Sequence, residues 1–146
     1  MVTFWDTSAL VPLLVPEPTS QALRKWASET ALLVWWGTST ECLSAIARRE
    51  REGVLSRREA DQTRQRLRFL ERQWSEIVAT EEVREHAARA LLRHPLRAAD
   101  ALQLGAALRW ADGRPKGHRF MTLDSRLDEA AHREGFETLG PGGLRP

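Results

Sequence analysis

What most narrows the fold of this chain is a repeated pairing of a short, wholly apolar run with a helical segment, starting at the second residue. Val2-Thr3-Phe4-Trp5 and Leu32-Leu33-Val34-Trp35-Trp36 lack the polar alternation of a half-wet strand, so each reads as a strand buried on both faces. Ser75–Ala79, Arg119–Leu123 and Phe136–Leu139 are weaker runs of the same kind. Helical patterns fill the intervals: Thr7–Leu14, Thr19 or Ser20 to Glu29, Glu41–Glu52, Ser56–Trp74, Thr80–Arg93, Leu96–Ala111 and Ser125–Arg133. Their ends fall at Pro16, Pro18, Gly53, Pro95 and Gly135, residues that stop helices. Strands alternating with helices specify an α/β fold of three layers, a short, mainly parallel sheet of four or five strands between helices. The length of 146 residues suits one domain, residues 1–146, with 140–146 as a loop tail.

Composition closes off other classes. Hydrophobic residues at 42% and charged residues at 29% are ordinary globular usage, which excludes wholesale disorder or a coiled-coil rod. The longest apolar run, Thr30–Trp36, is far short of the ~20 residues that span a bilayer, and Asp6 interrupts any leader-like start, so no membrane association is expected. A lone cysteine, Cys42, excludes an internal disulfide and fits a reducing cytoplasm. The net charge is only +2, but all except Lys25 and Lys116 of the 22 basic residues are arginine. The guanidinium fork matches phosphate oxygens, so a phosphate-rich partner fits; a biased genome gives the same enrichment. The stretch Arg57–Arg72 concentrates this charge on one helix, as a contact surface or as plain solvated surface.

Three acids stand where a parallel sheet builds its site. Asp6 follows the first strand, Asp124 the fourth, and Glu41 opens the helix after the second, which puts all three at the carboxyl edge. Each has a structural reading too: Asp6 and Asp124 can cap the helices that follow, and Thr38-x-x-Glu41 has the spacing of a capping box. Asp100 lies in Ala98-Ala99-Asp100-Ala101-Leu102, an apolar stretch that reads as buried mid-helix. A charge there needs compensation, either from Arg97 one turn earlier or from a cation shared with other acids. Clustered carboxylates are tolerable around a hard divalent ion such as Mg²⁺ or Mn²⁺, which prefers oxygen ligands and polarises phosphoryl oxygens. Asp128, one turn after Asp124, reads either as added charge for the same pocket or, as expected here, as part of a solvated helix face. The histidines show no zinc spacing, and no phosphate-cradling glycine loop or serine-nucleophile elbow is present. The six tryptophans read as core, Trp5 and Trp35 above all, with base stacking as the alternative.

Asp6-Thr7-Ser8-Ala9-Leu10, Glu41 at a helix start, Leu96 to Leu102 and Thr122-Leu123-Asp124-Ser125-Arg126-Leu127 together resemble the PIN domain, and within it VapC-type toxins of toxin–antitoxin pairs. The resemblance runs over nearly the whole chain, in the family's order. It implies a three-layer PIN-like fold and a Mg²⁺- or Mn²⁺-dependent endoribonuclease that leaves a 5′-phosphate and a 3′-hydroxyl. It also implies a metal pocket of Asp6, Glu41, Asp100 and Asp124, with the Ser8 hydroxyl beside it. Asp6 and Asp100 would ligate directly, Asp124 directly or through water, and Glu41 as water-orienting group or second-metal ligand. Arg97 is a candidate phosphate contact. The implied partners are RNA, a cognate antitoxin protein and a second copy of the chain in a homodimer. The alternative is a catalytically silent module of the same fold that acts by binding a protein or nucleic acid. A phosphotransfer receiver or aspartyl phosphatase fits poorly, because Ser8 stands where the phosphatase pattern has its second aspartate and no lysine follows a late strand.

Overall fold

The structure is a computed structural model that describes the backbone of residues 1–140 and 143–145 and the side chains of residues 1–139. Six strands form one sheet: β1 (Val2–Trp5), β2 (Ala31–Trp35), β3 (Ser75–Ile77), β4 (Arg119–Met121), β5 (Glu137–Gly140) and β6 (Gly143–Arg145). Seven helices connect them: α1 (Thr7–Leu14), α2 (Ser20–Glu29), α3 (Thr38–Arg51), α4 (Arg57–Glu71), α5 (Glu81–Arg93), α6 (Ala98–Trp110) and α7 (Ser125–Glu134). The sheet order is β3-β2-β1-β4-β5-β6. The first five strands run parallel, and β6 returns antiparallel to β5, with Leu139 opposite Leu144.

The apolar runs are buried on both faces because the sheet is covered on both. Phe4 and Leu33 face one cluster, with Leu104 and Leu108 of α6 and Leu127 of α7. Trp5 and Val34 face the other, with Leu10 of α1, Ile46 of α3 and Leu67 of α4. Across the middle of the sheet Phe4 stacks on Phe120, ring centroids 5.1 Å apart. Three expectations need correction. The tail is not all loop: Gly140 closes β5 and Gly143–Arg145 form β6, a short strand whose sequence has no apolar run to announce it, while Pro141, Gly142 and Pro146 lie outside the described residues. Helix α3 begins at Thr38, capped by Gly37 without a side-chain bond, so Thr38 and Glu41 form no capping box. Asp128 is buried, 6% exposed, because α7 turns that face towards the protein. Among the described residues no helix is long and apolar enough to cross a membrane.

Helices α5 and α6 approach so closely that Gly105 of α6 lies against the α5 backbone. A methyl group there would stand 2.7 Å from the Val83 carbonyl oxygen and 2.9 Å from the Ala87 nitrogen. Alanine gains up to ~1 kcal/mol of helix propensity over glycine, but overpacking against rigid backbone costs ~1–3 kcal/mol. Gly105→Ala is therefore expected to lower the melting temperature by roughly 2–8 °C in a thermal melt, at ~2–4 °C per kcal/mol for a chain this size. A melting temperature at or above the parent's would mean that α5 can retreat without loss.

Candidate active site

The strand order places a topological switch point between β1 and β4. The chain winds outward from β1 to β2 and β3, then crosses back to β4 on the other side. Ligands of such sheets bind outside the carboxyl ends of the strands at that reversal. Asp6 stands there at the end of β1, its backbone N–H donating to the Met121 carbonyl oxygen of β4 at 3.1 Å. Thr122, Leu123 and Asp124 follow β4 on the same edge, and α3 carries Glu41 there from the end of β2.

Asp6 is 5% exposed and does not cap α1 with its side chain. Its Oδ1 accepts from the Ser8 hydroxyl at 2.8 Å. Ser8 Oγ in turn accepts from the Leu123 N–H at 2.9 Å and lies 3.2 Å from the Thr122 hydroxyl. Thr122 Oγ1 accepts from the Asp124 N–H at 3.0 Å. Through Ser8 and Thr122, the ends of β1 and β4 therefore share one hydroxyl network. Asp124 does cap its helix, Oδ1 accepting from the Leu127 N–H at 2.9 Å, so one of its oxygens is committed.

Glu41 is positioned by a residue that the sequence reading passed over. Gln103 of α6 is buried, 2% exposed, and its Nε2 donates to Glu41 Oε2 at 2.7 Å, with Thr38 Oγ1 at 3.0 Å and Thr7 Oγ1 at 3.2 Å. A carboxylate can only accept, so it fixes which end of the amide faces it. The one available signal was the polar Gln103 at a position where the apolar pattern of α6 expects core. Asp100 proves not to be mid-helix: α6 starts at Ala98, so Asp100 sits in the first turn, half-buried, where the helix dipole favours an acid. The preceding Arg97, Ala98 and Ala99 are exposed. The Arg97 backbone N–H donates to Asp100 Oδ2 at 3.4 Å, and no ion pair joins the two side chains among the described residues.

The protonation equilibria show how closely these groups sit. Burial pushes Asp6 up to about 7, against the Ser8 and Thr122 hydroxyls that favour its charge, and the Asp124 carboxylate raises it further. Burial first, and then the charge of Asp124, raises Asp100; the Arg97 and Arg126 guanidiniums oppose this. Burial and the charge of Asp100 raise Glu41, while Gln103 and Thr7 oppose. Cys42 is pushed up to about 12 by burial, then by Glu41, Asp6 and Glu71, and stays an inert thiol. The four acids thus interact in a chain, Asp6 with Asp124, Asp124 with Asp100, and Asp100 with Glu41. They do not form one cage: among the described residues no three His, Cys, Asp or Glu side chains converge to hold an ion. For each of Asp6, Asp100 and Glu41, desolvation by burial is a larger effect than the repulsion of the neighbouring acids.

A groove of about 660 Å³ lies elsewhere, between α1, α2 and α4, lined by Leu13, Leu14, Arg24, Arg66, Phe69 and Leu70 among others. Its described lining holds no acid, unlike the carboxylate edge.

A model of the PIN domain matches residues 3–133. The chain belongs to the PIN domain family. Ribonuclease VapC45 of Mycobacterium tuberculosis is 32% identical over 154 aligned positions that cover 99% of this chain and 99% of its own, which places this PIN domain in the VapC group. The crystal structure of Mycobacterium tuberculosis VapC20, described as a sarcin-ricin loop cleaving toxin, matches with a TM-score of 0.63 at 22% identity, over 88% of this chain and 94% of that one. A toxin–antitoxin complex from Klebsiella pneumoniae contains a chain of the same fold, with a TM-score of 0.61 at 13% identity over 85% of this chain and 88% of that one.

The burial of Asp6 has a measurable consequence. Its pKa is about 7 in the fold against 3.8 for the free side chain, so between these values the folded state holds a proton that the unfolded chain has released. The stability this contributes is fully present below pH 3.8 and is lost as the pH rises through 7. In EDTA, Asp6→Asn is expected to melt above the parent at pH 8, by several degrees, since three pKa units correspond to roughly 4 kcal/mol at most. At pH 5 the gap narrows. An equal offset at both pH values would show that Asp6 titrates normally.

Proposed function

We propose that this PIN domain is an endoribonuclease, the toxin of a toxin–antitoxin pair, which hydrolyses RNA phosphodiesters with a divalent cation held at the carboxylate edge. The observation that carries the reading is the chain of interacting carboxylates at the switch point, with no Lys, Arg or His ion-paired to any of the four among the described residues. The names of the VapC relatives supply the substrate class, and the toxin–antitoxin complex of the same fold supplies the protein partner.

The donor set fits Mg²⁺ or Mn²⁺ in chemistry, since every group is an oxygen acid. The lack of a three-acid cage is no obstacle, because Mg²⁺ is commonly held by one or two carboxylates together with waters and substrate phosphates. Asp6 and Asp100 would hold the ion, Asp124 would contribute directly or through water, and Glu41 would orient water or a second ion. When bound, the cation supplies Lewis-acid polarisation of a phosphoryl oxygen and a lowered pKa for the attacking water. The rest falls to the chain. Ser8 and Thr122 hold Asp6 in one orientation, and Gln103 does the same for Glu41. Arg97 and Arg126, whose charges both reach Asp100, would take phosphate oxygens. Water adds its oxygen to phosphorus as the bond to the 3′ oxygen breaks and that oxygen takes a proton, giving a 5′-phosphate and a 3′-hydroxyl. On this reading the protein works in the cytoplasm, as a homodimer silenced by its cognate antitoxin.

Purified protein incubated with total RNA in Mg²⁺ or Mn²⁺ is expected to cut it, and EDTA to stop the reaction. Asp6→Asn and Asp100→Asn each reduce the rate by on the order of 10²-fold or more, since even outer-shell changes at metal sites cost 10–100-fold. Cleavage that survives EDTA, or persists in both variants at matched purity, overturns the assignment. RNA binding without cleavage points to the silent module instead.

A further inference from the structure

We propose that Trp36 is a stacking platform for a nucleobase of the bound RNA strand, next to the phosphate held at the carboxylate edge; this rests on the RNA-cleaving reading above. Of the six tryptophans, Trp36 alone is mainly open to water, 59% exposed, whereas Trp5, Trp35 and Trp74 are buried and Trp26 and Trp110 are partly covered. Its place in the sheet gives that exposure meaning. Phe4 of β1 is level with Leu33 of β2, so two residues on Asp6 is level with Trp35, and Trp36 stands one step beyond. With strands about 4.8 Å apart and a rise of about 3.3 Å per residue, the backbone of Trp36 lies about 6 Å from that of Asp6. β2 flanks β1 on the side away from β4, so the backbone corner that carries Trp36 borders that of Asp6 on the side away from β4.

The corner is held rather than loose. The Trp36 N–H donates to the Ile77 carbonyl oxygen at 3.0 Å, which continues the ladder with β3. The ring of Trp35 meets that of Trp36 edge-on, centroids 6.4 Å apart at 74°. Gly37 then lies directly against Trp35, where a Cβ would stand 2.5 Å from the indole nitrogen. The buried indole thus supports the corner from which α3 departs with Glu41, and the exposed one is left at its rim. RNA-cleaving sites read unpaired nucleotides by stacking splayed bases on aromatic faces, a contact that tolerates any base. An exposed indole on a corner whose backbone adjoins that of Asp6 fits that use, and a nucleobase is the ligand whose flat face matches it.

The test measures the affinity of the full chain for a fluorescently labelled single-stranded RNA by anisotropy in Ca²⁺, a hard cation that takes the same oxygen ligands, with intactness of the RNA checked on a gel. Trp36→Ala is expected to weaken binding about 5- to 100-fold, the range for removing one base–aromatic stack. Trp36→Phe, which keeps an aromatic face, stays within about threefold of the parent, and both variants melt within about 2 °C of it because an exposed side chain carries little of the fold. Duplex RNA of the same sequence shows no dependence on Trp36. The proposal is overturned if Trp36→Ala binds the single strand within twofold of the parent, if Trp36→Phe loses as much as Trp36→Ala, or if the alanine variant loses only self-association. Cleavage in Mg²⁺ with an unchanged KM and affinity in Trp36→Ala removes the stacking role alone. Trp36-dependent binding without any cleavage removes the nuclease reading and leaves the stacking role standing.

Discussion

The pairing of β1 with β2 on one side and β4 on the other governs everything at the carboxyl edge. Because β1 is central and parallel to both neighbours, the residue that follows it is forced to the point where the chain reverses its winding. That residue is Asp6, and the helices packed on both faces leave it almost no water. A buried carboxyl must find hydrogen bonds, a proton or a cation. Here it takes the Ser8 hydroxyl and, with a pKa of about 7, a proton for part of the time. The surrounding hydroxyls are consequences of the same constraint. Ser8 reaches Asp6 because α1 starts immediately after the strand, and Thr122 reaches Ser8 because β4 lies alongside.

The acids around Asp6 share a site but are built differently. Asp124 is half structural, one oxygen spent on the cap of α7, and it still raises both Asp6 and Asp100. Asp100 gains from the first turn of α6, where the dipole tolerates a carboxylate that would be costly three turns later. Glu41 depends on Gln103, a buried amide whose position on α6 serves the site rather than the core. A cap, a helix dipole and an amide thus hold three charges near one buried acid without any ion pair among them. The arrangement keeps the edge acidic, which a surface salt bridge from any of the abundant arginines would cancel.

The layered fold and the edge of the site were legible in the sequence because both follow from short-range patterns. Val2–Trp5 and Leu32–Trp36 announce buried strands by lacking alternation, and an acid after such a strand lands on the carboxyl edge in any parallel sheet. Positions that depend on contacts between distant segments were not legible. Gln103 and Glu41 meet across 62 residues, and nothing near either residue in the sequence predicts the bond. The reading of Asp100 as mid-helix failed for a local reason: Leu96 extends the apolar pattern backwards, but the helix begins only at Ala98, after the extended Arg97. β6 escaped because its three residues borrow their order from β5. The separation of Trp36 from Trp35 is a matter of register, which leaves one indole under the helices and the next in water.

An acidic edge poses a difficulty for a polyanionic substrate, and the placement of arginine answers it. A phosphodiester approaching Asp6 meets like charge until a cation intervenes, so attraction has to come from beside the acids rather than among them. Arg97 and Arg126 lie on the rim, at the starts of α6 and α7, close enough to lower Asp100 yet exposed and outside every ion pair among the described residues. On the proposed reading a guanidinium there would serve two partners in turn, Asp100 in the free protein and a phosphate oxygen in the complex. Exchange between the two would cost little, because an exposed guanidinium is already hydrated. Had either arginine been buried against Asp100 in a tight pair, the acid would be ionised but unable to take a metal, and the substrate would find no cation to meet it. On the proposed reading, acids within and arginines around would therefore let one edge bind both a divalent cation and the strand it would cut.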